Sequence, residues 1–241
     1  MRLAVISDIH GNFDAFEQVL DDIARCRADA IINLGDAIGY GPEPEQVVKT
    51  IQAQQIPSIV GNHEMAVNDP SHLDWFNPAA RKSLVMTIDM LSEQSKDFIA
   101  GLTTHLTEYR CRFVHGFPPD SPFIYLFQVS ETSMARVFAE TTEPLCFLGH
   151  THLLEMVCYD GARIDYRELS QGIVSLDQTH RYLINIGSVG QPRDGNNHAK
   201  YVIWDSARNT LDVRFVPYDI AAVVQKINDA GLPAEHGLRL W

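Results

Sequence analysis

Five short clusters along this chain carry side chains able to do chemistry: Asp8-Ile9-His10, Gly35-Asp36, Gly61-Asn62-His63-Glu64, His115-Gly116 and Gly149-His150-Thr151-His152. Carboxylate, imidazole and amide donors in this mixture suit a divalent transition metal. Asp8 and His10 lie two residues apart, as do His150 and His152. In extended chain such pairs project to one side, so each pair is expected to be able to serve one ion. Asp36 follows a glycine, which admits close backbone approach, and its two oxygens can bridge two cations. The expected partition gives one ion Asp8, His10, Asp36 and His152, and a second ion Asp36, Asn62, His115 and His150. Two carboxylates sharing a site repel each other. Two divalent cations reverse the sign of that field and attract an anionic group such as phosphate.

Each cluster ends a short apolar run. The runs are Leu3 to Ile6, Ala30 to Leu34, Ser58 to Val60, Arg112 to Val114 and Leu145 to Leu148. Runs of this length stopped by Gly or Asp read as buried strands, and α/β sheets place their sites at strand carboxyl ends. Between the first two strands, Phe13, Phe16, Val19, Leu20 and Ile23 recur at helical spacing over Asn12 to Arg25. A Gly/Pro-rich loop at 38–42 leads to a second helix, Glu43 to Gln54, and Pro57 restarts a strand. This β-α-β-α-β order predicts parallel strands with right-handed crossovers.

Residues 64–102 read as mostly helical, with Asn77 and Ser92 as caps and Gly101 as a stop. This insert directly follows the third cluster, so it is positioned to cover the site, with Trp75 and Phe76 available to a ligand. The commoner place for two such aromatics is the core. Residues 117–129 read as loop, and Ser133 to Glu140 as a short helix. Beyond His152 the pattern turns strand-rich: Met156 to Tyr159, Gly172 to Leu176, Tyr182 to Ile186, Tyr201 to Trp204 and Val213 to Val216. Short turns at Asp160-Gly161 and Arg208-Asn209 imply antiparallel neighbours. Asp219 caps a last helix that stops near Gly231. The expectation is one α/β domain over residues 1–241, with two packed sheets and outer helices.

The net charge of −12 and the absence of a Lys/Arg run argue against polymeric nucleic acid as partner. No apolar stretch is long enough to span a membrane, and the first residues run straight into Ser7-Asp8 without a signal-peptide pattern. The expected location is cytoplasmic. None of the four cysteines forms a C-x-x-C pair, so Cys111 and Cys146 read as buried thiols. His72, His105, His180 and His236 fall outside the donor pattern and read as surface or structural. A homo-oligomer is compatible with the sequence.

The order D-x-H, G-D, G-N-H-E, H-G, G-H-T-H resembles the calcineurin-like metallophosphoesterases over about residues 1–152. The resemblance implies a four-layer α-β-β-α sandwich with two metals at the sheet ends. It adds His63 as the imidazole nearest the substrate. The Ser/Thr protein phosphatase branch carries G-D-x-x-D-R-G at its second motif and Arg after G-N-H-E. Here the corresponding residues are Gly35-Asp36-Ala37-Ile38-Gly39-Tyr40-Gly41, and Met65 follows Glu64. The chain is more similar to the small bacterial phosphodiesterase branch, also at Asn185 to Arg193.

The expected activity is hydrolysis of a small phosphodiester or nucleotide by a hydroxide bridging two divalent ions. Manganese is the first choice of metal, with Fe, Zn, Ni or Co as alternatives. His63 is expected to protonate the leaving oxygen or to stabilise the transition state. Arg193, in a Gly-rich turn, is a candidate phosphate contact, with an ion pair to Asp194 or Glu64 as the bland alternative. Tyr40 is a candidate for stacking a base, or a plain loop tyrosine. Glu64 is expected to orient a ligand or His63. The competing readings are a phosphomonoesterase on the same site, acting on a phosphoprotein or a nucleotide, a non-catalytic scaffold of the same fold, and a metal-storage module.

Overall fold

The computed structural model describes residues 1–241. In chain order the elements are β1 (Arg2–Ile6), α1 (Phe13–Cys26), β2 (Ala30–Asn33), α2 (Pro44–Ala53), α3 (Asn62–Asn68), α4 (Pro78–Met90), α5 (Glu93–Ala100), β3 (His105–Glu108) and β4 (Cys111–Val114). They continue with α6 (Glu131–Glu140), β5 (Leu145–Leu148), β6 (Leu154–Tyr159), β7 (Ile164–Glu168), β8 (Gly172–Ser175), β9 (Arg181–Ile186), β10 (Ala199–Asp205), β11 (Thr210–Val216), α7 (Ile220–Asp229) and α8 (Ala234–Leu238). No helix is long and apolar enough to cross a membrane.

Two sheets form. One has the order β2-β1-β10-β11-β8, the other β3-β4-β5-β9-β6-β7. β1 and β2 are parallel, with Val5 opposite Ile32, and β4, β5 and β9 run parallel in the second sheet. The alternation of strand side chains explains why these runs are apolar throughout. In β1, Leu3 and Val5 point into a core shared with Phe113, Phe147 and Ile184 of the other sheet. Ala4 and Ile6 point the opposite way, onto Phe16 and Val19 of α1 and Val47 and Ile51 of α2. In β5, Leu145 and Phe147 face the inter-sheet core, while Cys146 and Leu148 pack on Met134 and Phe138 of α6. The result is the expected α-β-β-α sandwich. Cys111, Cys146 and Cys158 are buried free thiols within it.

The helical insert is built on the expected caps. Asn77 Oδ1 accepts the Ala80 amide at 3.0 Å and Ser92 Oγ the Ser95 amide at 3.2 Å. The Asp160-Gly161 and Arg208-Asn209 turns join antiparallel partners, β6 to β7 and β10 to β11. Residues 58–60 differ from expectation. They run extended beside β2 but pair only at single positions, Ser58 with Asn33 and Ile59 with Thr103, so no ladder develops. β3, β7 and α8 are additional elements. β7 is an edge strand, mostly exposed, and its sequence Ile-Asp-Tyr-Arg-Glu has no continuous apolar run to announce it.

Candidate metal centre

The loops after β1, β2, β4 and β5 and the start of α3 converge at one end of the two sheets. There Asp8, His10, Asp36, Asn62, His63, His115, His150 and His152 are all buried. The local backbone corrects one sequence inference. Asp8, His10, Asp36, His150 and His152 are not extended but left-handed, with φ of +55°, +51°, +50°, +66° and +61°. The i, i+2 pairs therefore do not owe their placement to strand alternation. Asp, Asn and His tolerate this conformation better than other residues, at a cost of order 1 kcal/mol or more each, and it turns the chain sharply enough to aim both side chains inward. Close approach is also built in at Gly61, where a Cβ would collide with the Asp36 carboxylate.

Backbone carbonyls decide how the imidazoles present themselves. A carbonyl only accepts, so the ring nitrogen facing it carries the proton and the other nitrogen offers a lone pair. His10 Nδ1 faces Ile38 O at 3.0 Å, His115 Nδ1 faces Leu34 O at 2.9 Å, and His152 Nδ1 faces Gln191 O. In all three, Nε2 is left pointing into the cluster. His150 is reversed: its Nε2 faces Phe123 O at 3.1 Å, leaving Nδ1.

The freed lone pairs meet one another. His10 Nε2 lies 3.1 Å from His152 Nε2, and His152 Nε2 lies 3.2 Å from Asp8 Oδ1. Asp8 Oδ1 is buried and has no hydrogen-bond donor. His115 Nε2 lies 3.3 Å from both Asp36 Oδ2 and Asn62 Oδ1. Asp36 Oδ2 is also 3.8 Å from His10 Nε2, so it stands between the two groups. Donor atoms within 4.8 Å of one another define the sets Asp8-His10-His152 and Asp36-His115-His150, and a third set in which His63 joins His10 and Asp36.

Acceptors packed against acceptors need a cation. The charge balance says the same. Burial alone would lower the pKa of His115, but Asp36, Asp8 and Glu64 push it up to about 9. The unbalanced negative charge recruits a proton onto an imidazole, and a divalent ion answers the same demand. The residues present therefore fit a metal centre.

His63 stands beside the cluster rather than across it. Its Nε2 is 3.9 Å from Asp36 Oδ2, and its ring is enclosed edge-on by His10, Tyr40 and Phe76 at 4.7, 4.7 and 4.9 Å. Burial takes its pKa down to about 4, so the ring is neutral. Glu64 holds backbone rather than a ligand side chain: it accepts the amides of Asp36, Ala37 and Gly61 at 2.9, 2.8 and 2.9 Å and so ties two of the loops together. Burial and the neighbouring Asp36 charge raise its pKa to about 7 against those three donors.

Arg193 lines the cleft above the cluster together with Tyr40, Trp75, Phe76 and Asn62. Neither alternative partner holds Arg193, since Asp194 pairs with the buried Lys200 at 2.7 Å and Glu64 is occupied by amides. Tyr40 is nearly fully buried, between the rings of His10, His63 and His236. Trp75 is not a core residue; it is 64% exposed. Phe76 packs against both the core and His63. The cleft also uses Phe123, Tyr125, Arg239 and Trp241, which sequence reasoning did not single out. The first two had a signal, because their loop directly follows His115-Gly116. The last two had none.

A two-sheet sandwich with buried nitrogen and oxygen donors at one end is the architecture of the metal-dependent phosphoesterases. Residues 1–209 match the family model of the calcineurin-like phosphoesterase superfamily domain, and the chain belongs to that family. It is 34% identical over 243 aligned positions to an uncharacterized protein of Methanocaldococcus jannaschii, covering 99% of this chain and 97% of that one. A solved metallophosphoesterase from Sphaerobacter thermophilus is 33% identical, with a TM-score of 0.87 over 100% of this chain and 98% of that one. A hypothetical protein from Pyrococcus horikoshii shares the fold at 18% identity, with a TM-score of 0.79 over 100% and 97% of the two chains.

Proposed function

We propose that this protein is a dinuclear metal-dependent phosphoesterase that hydrolyses a small phosphodiester or nucleotide. The observation that carries the reading is the meeting of unprotonated imidazole nitrogens with carboxylate and amide oxygens, with Asp36 Oδ2 between the two groups. Asp8, His10, Asp36 and His152 would hold one ion; Asp36, Asn62, His115 and His150 would hold the other. The donor mixture favours Mn, Fe, Zn, Co or Ni over Ca or Mg, and manganese is our choice. When bound, such ions lower the pKa of water from 15.7 to about 7 and offset phosphoryl charge.

The chain's own residues then have distinct tasks. Ile38, Leu34, Gln191 and Phe123 carbonyls fix the tautomers of His10, His115, His152 and His150. His63, neutral and buried beside Asp36, would offer its ring N–H as a hydrogen bond to the leaving oxygen as negative charge develops there. Arg193 grips a phosphoryl oxygen from the cleft side. A diester is favoured over a monoester because the cleft, about 620 Å³, extends well beyond the donor cluster and can seat a second ester substituent.

The test is metal content measured together with turnover of bis-p-nitrophenyl phosphate and of p-nitrophenyl phosphate. The expected result is two manganese ions per chain and faster hydrolysis of the diester. Full metal loading without turnover of either compound would leave a scaffold of the same fold. Preference for the monoester would make the protein a phosphomonoesterase.

A further inference from the structure

The rim of the cleft contains residues for which cleavage of a single phosphate has no use. Trp75, just before α4, and Phe123 and Tyr125, in the loop after β4, supply an aromatic wall, with the Trp75 and Phe123 rings edge-on at 4.5 Å. Arg239 and Trp241 complete the rim, beside Arg193. Arg239 and Trp241 are not on a loose end. Leu240 between them is buried with Ile220, Val223 and Ile227 of α7. The buried His236 of α8 packs on Tyr40 at 4.8 Å, and its Nε2 faces Ala79 O at 3.4 Å. The exposed-buried-exposed order at 239–241 therefore turns Arg239 and Trp241 outward from a fixed anchor.

Two further observations point to a ligand. Neither Arg193 nor Arg239 has a carboxylate partner, and both line the same cleft. Trp75 and Trp241 are 64% and 68% exposed at the same mouth. Guanidinium groups match phosphoryl oxygens in paired hydrogen bonds, and aromatic faces stack planar rings whatever their substituents.

We infer that the 239–241 segment, with the aromatic wall, forms a second substrate subsite next to the phosphoryl group that Arg193 holds. It takes an anionic group separate from the one cleaved, attached to a planar ring, as in the nucleoside diphosphate portion of a larger phosphoester. The inference relies on the phosphoesterase reading for which group is cleaved, but not for binding at the rim.

Tryptophan emission can report occupancy, because Trp75 and Trp241 line the cleft while Trp204 belongs to the inter-sheet core. The 241-residue chain, as purified and after manganese loading, is titrated with ADP and with adenosine. Both should quench emission, with ADP binding at least tenfold more tightly. Arg239→Ala and Arg239→Gln should each weaken ADP at least fivefold and adenosine less than twofold, whereas Trp241→Ala should weaken both. ADP binding no tighter than adenosine, or ADP affinity equal to wild type in both Arg239 variants, would overturn the inference. The readout is binding, so a failure to hydrolyse bis-p-nitrophenyl phosphate would strike the phosphoesterase reading alone.

Discussion

Two carboxylate clusters, one where α1 packs on β10 and β11 and one at the strand ends, are resolved in opposite ways. In one, Asp22 accepts Tyr201 Oη at 2.8 Å and Arg214 Nε and Nη2 at 3.1 and 3.2 Å. Every acceptor there faces a donor, and the carboxylate has its counter-charge in the chain. In the other, Asp8, Asp36, Asn62 and the imidazole lone pairs face each other, and Asp8 Oδ1 has no donor at all. The first cluster is closed, and its gain is stability. The second finds no such compensation within the chain, and its arrangement is held by loops in strained backbone rather than by its own attractions. Burial of charge is common to both; what separates structure from site is whether the chain supplies the compensating partner.

The sharpest way to break the comparison is Asp36→Asn. It removes the shared carboxylate and should lower bound manganese below two ions per chain, with turnover falling on the order of a thousandfold. Plasma emission metal analysis alongside a diester assay reads both. In the closed cluster, Asp22→Asn should leave metal content and turnover alone. His63→Asn comes next. Metal content should stay at wild-type level while turnover of a substrate with a poor leaving group drops about 10² to 10⁴-fold, or roughly 3 to 5.5 kcal/mol of barrier. An unchanged rate removes His63 from stabilising the leaving oxygen.

Glu64→Gln probes the loops instead of the donors. One carboxylate oxygen that accepted amides becomes an NH₂ group, so unfolding free energy should fall by about 1 to 3 kcal/mol. Turnover should fall by about 10 to 100-fold as Asp36 loses its support, and thermal midpoints with steady-state rates separate the two effects. The smallest expected effect lies in the closed cluster and depends on pH. Burial would raise the Asp22 carboxyl, but hydrogen bonds from Arg214 and Tyr201 and the Arg214 charge hold it below its ordinary value. The unfolded chain then binds that proton more tightly than the folded one. The stabilisation is complete above about pH 4 and is lost as pH falls through the depressed folded value. Thermal midpoints taken from about pH 6 down to about pH 3 should therefore fall less in Asp22→Asn than in wild type.

Much of the site was legible because its residues are chemically conspicuous and each ends a short apolar run. Asp8 and His10 do lie together, with Oδ1 and Nε2 3.7 Å apart, but not for the expected local reason: the backbone there is left-handed, not extended. Residues 58–60 looked like a strand by composition, yet the segment finds only one bridging partner on each side. β3 and β7 were not legible, since edge strands with one wet face lack the continuous apolar run that marked the strands buried on both faces. The bland places assigned to Trp75 and Arg193 failed for a related reason. Whether an aromatic is buried or an arginine is paired depends on what the rest of the chain brings near it.

The amino-acid sequence by itself determined the donor set, the α/β class and the apolar period that makes two sheets pack, because these depend on residue type and on neighbours a few positions away. Tertiary structure alone decided which nitrogen each histidine presents, since the carbonyls of Ile38, Leu34, Gln191 and Phe123 that hold the protons arrive from distant segments. It also decided that Arg239 and Trp241 reach the cleft that Asn62 and His150 line. Local pattern records what a residue can do; only the packing of remote elements sets what it faces.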